Sequence, residues 1–249
     1  MTLRRIGDLA VFPVGLGCAG FSLDHADDPA RAERTVRTAV DAGITLLDTA
    51  LAYTPAGQDN HNERLLRRIL AGLPDRDRIV VATKGGHCRD GDTFPIDGRP
   101  STLAAHCASS LRALGVDRID LYHLHHPDPA VPIEESVGAL VELRDAGHIA
   151  HIGVSNVSLD QLRRAQRVAP IASVQNKLSI HDRANLDVAE HCFRTGVAFL
   201  AYSPLGGSGR SSGPVGTALT WLLELRPNVI PVVGATRPRH AGEAAAAGL

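Results

Sequence analysis

Eight times along this chain, a short and nearly unbroken apolar run is followed by a stretch with helical periodicity. That alternation limits the fold more than any other feature. Apolar runs without polar partners mark strands buried on both faces, which is the signature of parallel strands covered by helices. Eight such strand–helix units in a chain of 249 residues predict a single α/β domain over 1–249, a closed (β/α)8 TIM barrel. Candidate strands end at Gly17, Asp48, Lys84, His125, Val154, Gln175, Tyr202 and Val233.

The helices between them have readable ends. Ala30 to Ala42 gathers Val36, Ala39 and Val40 on one face, and Gly43 closes it. Ser101 to Leu114 does the same with Leu103, Cys107 and Leu111, ahead of Gly115. Pro132 to Ala146 opens on a proline followed by Glu134 and Glu135, residues that suit a helix start. Glu63–Ala71, Leu159–Val168, Ala184–Thr195, Thr217–Leu225 and Arg239–Ala247 complete the set. Gly206 to Gly216 reads as a mobile loop after the seventh strand. The first eleven or so residues read as a short N-terminal β-hairpin closing the barrel bottom.

Bulk properties exclude several classes. A net charge of −1 gives no footprint for nucleic acid. No run of about 18 apolar residues is present, so no membrane span is expected. The N-terminal apolar stretch is too broken for a signal peptide. The four cysteines, Cys18, Cys88, Cys107 and Cys192, form no CxxC pair and read as reduced thiols of a cytoplasmic protein.

Catalytic groups of such barrels stand at the carboxyl ends of the strands and in the loops beyond. There the chain offers Asp48, with Tyr53 in its loop, then Lys84, then His125, from successive strands. Their chemistry is complementary. A tyrosine titrates near pH 10, and a neighbouring ammonium lowers that value. An aspartate keeps the lysine charged, and a histidine can orient a substrate oxygen. Such a set can give a proton to a carbonyl oxygen or take one from an alcohol.

The quoted segments resemble the aldo-keto reductases over nearly the whole chain. "LLDTALAYTPAG" is similar to that family's Asp-Thr-Ala-x-x-Tyr segment; "VVATKGG", "DLYHLHHPD", "HIGVSN", "SVQNKLS", "AYSPLGG" and "IPVVGATRP" follow in the family's order. "LHHPDPAVPIEESVGAL" and "HIAHIGVSNVSLDQL" most resemble the bacterial branch that includes pyridoxal reductases. The resemblance implies reduction of a small carbonyl substrate with NADPH. It makes Tyr53 the proton donor, tuned by Lys84 and Asp48, with His125 orienting the carbonyl. It puts Ser155, Asn156 and Gln175 on the nicotinamide carboxamide and Tyr202 against its ring. Ser203, Leu205 and Gly207 would meet the pyrophosphate. Gly234, Thr236, Arg237, His240 and Glu243 would surround the adenosine and its 2′-phosphate. Gly17 would let the backbone approach the nicotinamide, with Cys18 beside it. Lys177, His181 and His87 are expected to line or border the pocket.

Departures from the family pattern leave NADH possible: Ala244 replaces a common asparagine, and His240 stands where arginine or glutamine is common. The segment between Leu205 and Thr217 is shorter than usual. The chain stops at Leu249, so the family's C-terminal substrate loop is missing, which predicts an open pocket or one completed by a second subunit of a homo-oligomer. Three other readings conflict with the sequence. "GLGCAG" satisfies G-x-G-x-x-G, but a dinucleotide-binding loop opens a helix at once, and "FSLDHADDPARAER" intervenes. His123 and His125 form an H-x-H pair, yet later strand ends lack the further ligands of a metal-dependent hydrolase, so no metal is expected. A non-catalytic cofactor sensor conflicts with the intact Asp–Tyr–Lys–His set.

Overall fold

Parallel strands need a crossover between neighbours, and helices provide it here at every step. A computed structural model describes residues 2–207 and 215–249. Most of the predicted mobile loop, Gly206–Gly216, lies outside the described residues. In chain order the elements are β1 (Arg4–Ile6), β2 (Leu9–Val11), β3 (Gly15–Gly17), α1 (Gly20–Leu23), α2 (Pro29–Asp41), β4 (Leu46–Asp48), α3 (His61–Ala71), β5 (Val80–Gly85), α4 (Pro100–Leu114), β6 (Ile119–Leu124), α5 (Ile133–Asp145), β7 (Ile149–Ser155), α6 (Leu159–Val168), β8 (Ser173–Lys177), α7 (Leu186–Arg194), β9 (Ala198–Tyr202), α8 (Val215–Leu225), β10 (Val229–Gly234) and α9 (Pro238–Ala246). Among the described residues, β3 to β10 pair in parallel and close into a barrel, β10 bonding β3. The predicted (β/α)8 fold is the one observed.

β1 and β2 form the expected antiparallel hairpin. Its Ile6 and Val11 join one buried cluster with Leu46, Val80, Leu121, Leu200 and Ile230. These are inward residues near the strand starts, so the hairpin plugs the barrel floor. Along β6 the alternation is explicit. Leu121 packs in that interior cluster, while Tyr122 and Leu124 belong to the outer cluster with Leu103 and Cys107 of α4 and Val137 and Leu140 of α5. A second outer cluster joins Val36 and Ala39 of α2, Leu66 and Ile69 of α3 and Ala241 of α9.

Helix ends follow local chemistry. α6 spans the predicted residues because Ser158 and Gln161 form a reciprocal capping box. Asp28 caps α2 by accepting from the Arg31 N–H at 2.9 Å. Several strands run past the expected ends: β5 by one residue to Gly85, β8 by two to Lys177, while β6 stops one short of His125. The single turn α1 was not expected. Only four residues long, it has no apolar period to reveal it. A helical turn does therefore follow "GLGCAG", but β3 pairs with β4 and β10 inside a closed barrel, and the Rossmann reading is excluded. No helix among the described residues is long and apolar enough to cross a membrane.

Candidate active site

The carboxyl-end rim brings the four predicted groups together. Asp48 ends β4 at 3% exposure and Lys84, in β5, is wholly buried. Lys84 Nζ donates to Asp48 Oδ1 at 2.7 Å and Oδ2 at 2.9 Å, and to the Thr49 carbonyl at 2.8 Å. Gln175 Nε2 donates to Asp48 Oδ1 at 2.8 Å. Tyr53, in the loop after β4, has its ring centroid 5.1 Å from Lys84 Nζ. The His125 ring stands edge-on to it at 5.8 Å.

The electrostatics of this set are a contest between burial and partners. Burial is the largest influence on Lys84 and opposes its charge, but Asp48 and then Tyr53 outweigh it, and its pKa is raised. Tyr53 differs from expectation. Lys84 does pull its pKa down, yet burial, aided by Asp48, wins, and the phenol titrates above its usual value. Burial, followed by the Lys84 charge and the neighbouring histidines, holds His125 well below the usual imidazole range, hence neutral.

A polar network, unforeseen from sequence, fixes the loop that carries Tyr53. Asn62, at the start of α3, donates to the Cys18 carbonyl at 2.8 Å and to Ser22 Oγ at 2.7 Å. It accepts from Thr49 Oγ1 at 2.6 Å, and its own N–H bonds the Tyr53 carbonyl at 3.2 Å. The adjacent Glu63 is fully buried and accepts from Thr83 Oγ1 at 2.6 Å and from Asn60. The only available signal was an Asn–Glu pair opening an otherwise amphipathic helix.

A cavity of about 590 Å³ opens beside these groups. Thirteen of the predicted residues line it: Gly17, Asp48, Tyr53 and His125 on one side, Ser155, Asn156 and Gln175 next, then Tyr202, Ser203, Leu205 and Gly207, with Gly234 and Thr236 completing the wall. Ala19, Gly20, Asp24, His126, Pro204 and Val232 also line it and were not foreseen. Asn156 and Ser203 adopt left-handed backbone, at φ 58° and 50°, a conformation that costs energy for residues other than glycine and gathers at functional sites. Tyr202 donates its hydroxyl to Asn156 Oδ1 at 2.8 Å, and Asn156 donates to the His125 carbonyl at 3.0 Å.

Other expected residues lie elsewhere. Lys84 sits behind Asp48 and does not line the cavity. Cys18 does not line the cavity: its thiol is wholly buried, 3.7 Å from the Leu16 carbonyl, because its side chain leaves the strand end on the core side. Arg237 precedes α9 as an exposed residue. Glu243 pairs with Arg239 at 3.6 Å, and Arg239 also reaches His240 at 3.4 Å; none of Arg237, His240 and Glu243 lines the cavity. Lys177 is paired with Asp182 at 3.0 Å and His181 is exposed, both off the cavity wall. The H-x-H pair also separates. His123 points into the barrel beside Ser173 Oγ at 2.8 Å, whereas His125 groups with His87 and His126.

Sequence and structure comparisons agree with this fold. Residues 13–213 match the aldo/keto reductase family. An uncharacterized oxidoreductase of Schizosaccharomyces pombe is 32% identical over 96% of this chain and 82% of its own length. A probable aldo-keto reductase of Glycine max is 37% identical over 79% of this chain and 56% of its own. The solved glycerol dehydrogenase of Gluconobacter oxydans superposes with a TM-score of 0.85 at 28% identity, covering 98% of this chain and 89% of that one. An aldo-keto reductase of Klebsiella pneumoniae, solved with NADPH, does so with a TM-score of 0.83 at 25% identity, over 99% and 89% of the two chains. On the family match, the barrel and the rim it carries, this chain belongs to the aldo/keto reductase family.

Proposed function

We propose that this family member reduces an aldehyde or ketone to its alcohol, using NADPH and taking the proton from Tyr53. The supporting observation is the convergence of Asp48, Lys84, Tyr53 and His125 beside one cavity. The cavity suits a nicotinamide. Ser155, Asn156 and Gln175 offer the donors and acceptors a carboxamide needs, and Tyr202 offers a flat ring. Among the described residues, Gly234 has nothing within 4 Å of where its side chain would begin, so the glycine keeps open a space that any larger residue would fill. Gly17 packs against it, a Cβ there lying 3.5 Å from the Gly234 backbone. Arg237, at the N-terminus of α9, suits a 2′-phosphate. The related Klebsiella pneumoniae structure carries NADPH.

A dinucleotide held there would supply the hydride. The chain's own residues manage the proton. Tyr53 is protonated at neutral pH, so its hydroxyl is ready to donate to the substrate oxygen. Lys84, held charged by Asp48, stabilises the phenolate left behind. Neutral His125 can hydrogen-bond the carbonyl oxygen and fix its position. Gln175 and Lys84 together anchor Asp48. We place the protein in the cytoplasm, where its four free cysteines stay reduced.

The test is to bind NADPH and NADH, follow cofactor fluorescence, and then add aldehydes, ketones and pyridoxal. NADPH binding with carbonyl-dependent oxidation is the expected result. Binding of neither cofactor contradicts the reading.

A further inference from the structure

Three imidazoles meet beside the catalytic set in a way that proton transfer does not require. His87 lies in the loop after β5, and His125 and His126 follow β6. The His87 ring centroid is 4.8 Å from that of His125 and 4.8 Å from that of His126, and the latter two stack at 5.0 Å. One nitrogen from each ring can be chosen so that all three lie within 4.8 Å of one another.

The hydrogen bonding of two of the rings leaves lone pairs without partners, whereas His126 Nε2 lies 3.3 Å from Asn156 Nδ2. His87 Nε2 is 3.0 Å from the Phe94 carbonyl, so it carries the proton and Nδ1 carries the lone pair. Among the described residues, His87 Nδ1 and His125 Nδ1 are both buried and have no hydrogen-bond partner. Buried orphan nitrogens are uncommon in native proteins and ask for a reason. The Phe94 carbonyl behind His87 is also the type of outer partner that orients a metal-bound imidazole.

We propose that His87, His125 and His126 form a binding site for a divalent d-block cation such as Zn²⁺. Neutral imidazole is the commonest ligand for such ions. Some point lies within about 2.8 Å of three atoms that are no more than 4.8 Å apart, against a Zn–N bond of about 2.0–2.1 Å, so small ring rotations of under about 1 Å complete the shell. Three protein ligands leave a fourth position for water. His125 and His126 line the cavity and His87 stands behind them, so a cation held by the three rings, with its bound water, competes with the carbonyl for the space beside His125. The site is therefore inhibitory. That consequence rests on the reductase reading; the binding does not.

Co²⁺ titration of the purified protein, followed by its d–d absorption, tests the binding directly. One ion per chain is expected, without thiolate charge-transfer absorption, retained in Cys88→Ser and weakened at least tenfold in His87→Gln and in His126→Gln. Binding unchanged in His87→Gln, thiolate bands, or no binding overturns the site. Zn²⁺ is then expected to inhibit carbonyl reduction competitively with the carbonyl, its half-inhibiting concentration rising at least tenfold in His87→Gln. Zn²⁺ held at the three histidines without inhibition overturns the inhibitory role alone.

Discussion

Lys84 Nζ stands 2.7 Å and 2.9 Å from the two carboxylate oxygens of Asp48, and both side chains are buried. Neither charge is tolerable there alone. Asp48→Asn leaves the ammonium without its counter-charge, and breaking such a pair costs about 3–5 kcal/mol. Denaturant unfolding should show that loss, together with a fall in kcat. The double variant Asp48→Asn with Lys84→Met removes both charges and should regain much of the stability while staying inactive. A double variant as unstable as the single one contradicts this account of the pair.

The pH dependence follows from Tyr53. Its pKa is raised above 10.0, with burial the main cause. An acid with a raised pKa keeps its proton to higher pH. Reduction, which needs the phenol, should therefore hold steady from pH 6 to about 9 and fall only above that. Oxidation of the alcohol needs the phenolate and should climb across the same interval. Steady-state profiles in both directions check this, and a reduction rate that halves near pH 7 contradicts it.

Much of the site was legible because buried parallel strands admit charge only where function or pairing holds it. Asp48 and Gly17 end β4 and β3 as the sequence suggests. The sequence places Lys84 at a strand end, yet β5 continues to Gly85, and the salt bridge to Asp48 lets the lysine remain inside the barrel. The Asn62 network and the His87–His125–His126 cluster were illegible. Each joins residues from separate loops or helices, and no periodicity records such meetings. Arg237, His240 and Glu243 rested on family resemblance alone. The cavity wall does not include them, although α9 begins close to Gly234 and Thr236.

Arg237 gives a direct test of cofactor choice. If its guanidinium meets the 2′-phosphate, Arg237→Ala loses a charge-assisted bond of about 1.5–3 kcal/mol, a factor of ten to a hundred in Kd for NADPH. The Kd for NADH should barely move. Equal weakening of both cofactors removes this role.

Gly153 in β7 carries a packing prediction. A Cβ there would lie 2.2 Å from the His123 ring and 2.8 Å from Ser173 Oγ. Gly153→Ala must push apart the His123–Ser173 contact in the barrel interior, and overpacking of this kind costs about 1–3 kcal/mol. Thermal unfolding should show a Tm lower by roughly 2–4 °C for each kcal/mol lost. An unchanged Tm contradicts the packing described.

The central claim is that Tyr53 gives the proton, and Tyr53→Phe measures it most directly. The variant keeps the ring and removes only the hydroxyl. Cofactor Kd and single-turnover carbonyl reduction should be measured side by side. The account predicts an unchanged Kd and a rate lower by about 10² to 10⁴, the usual worth of a general acid. A Tyr53→Phe enzyme that reduces its substrate at the parent rate would mean that the proton comes from elsewhere.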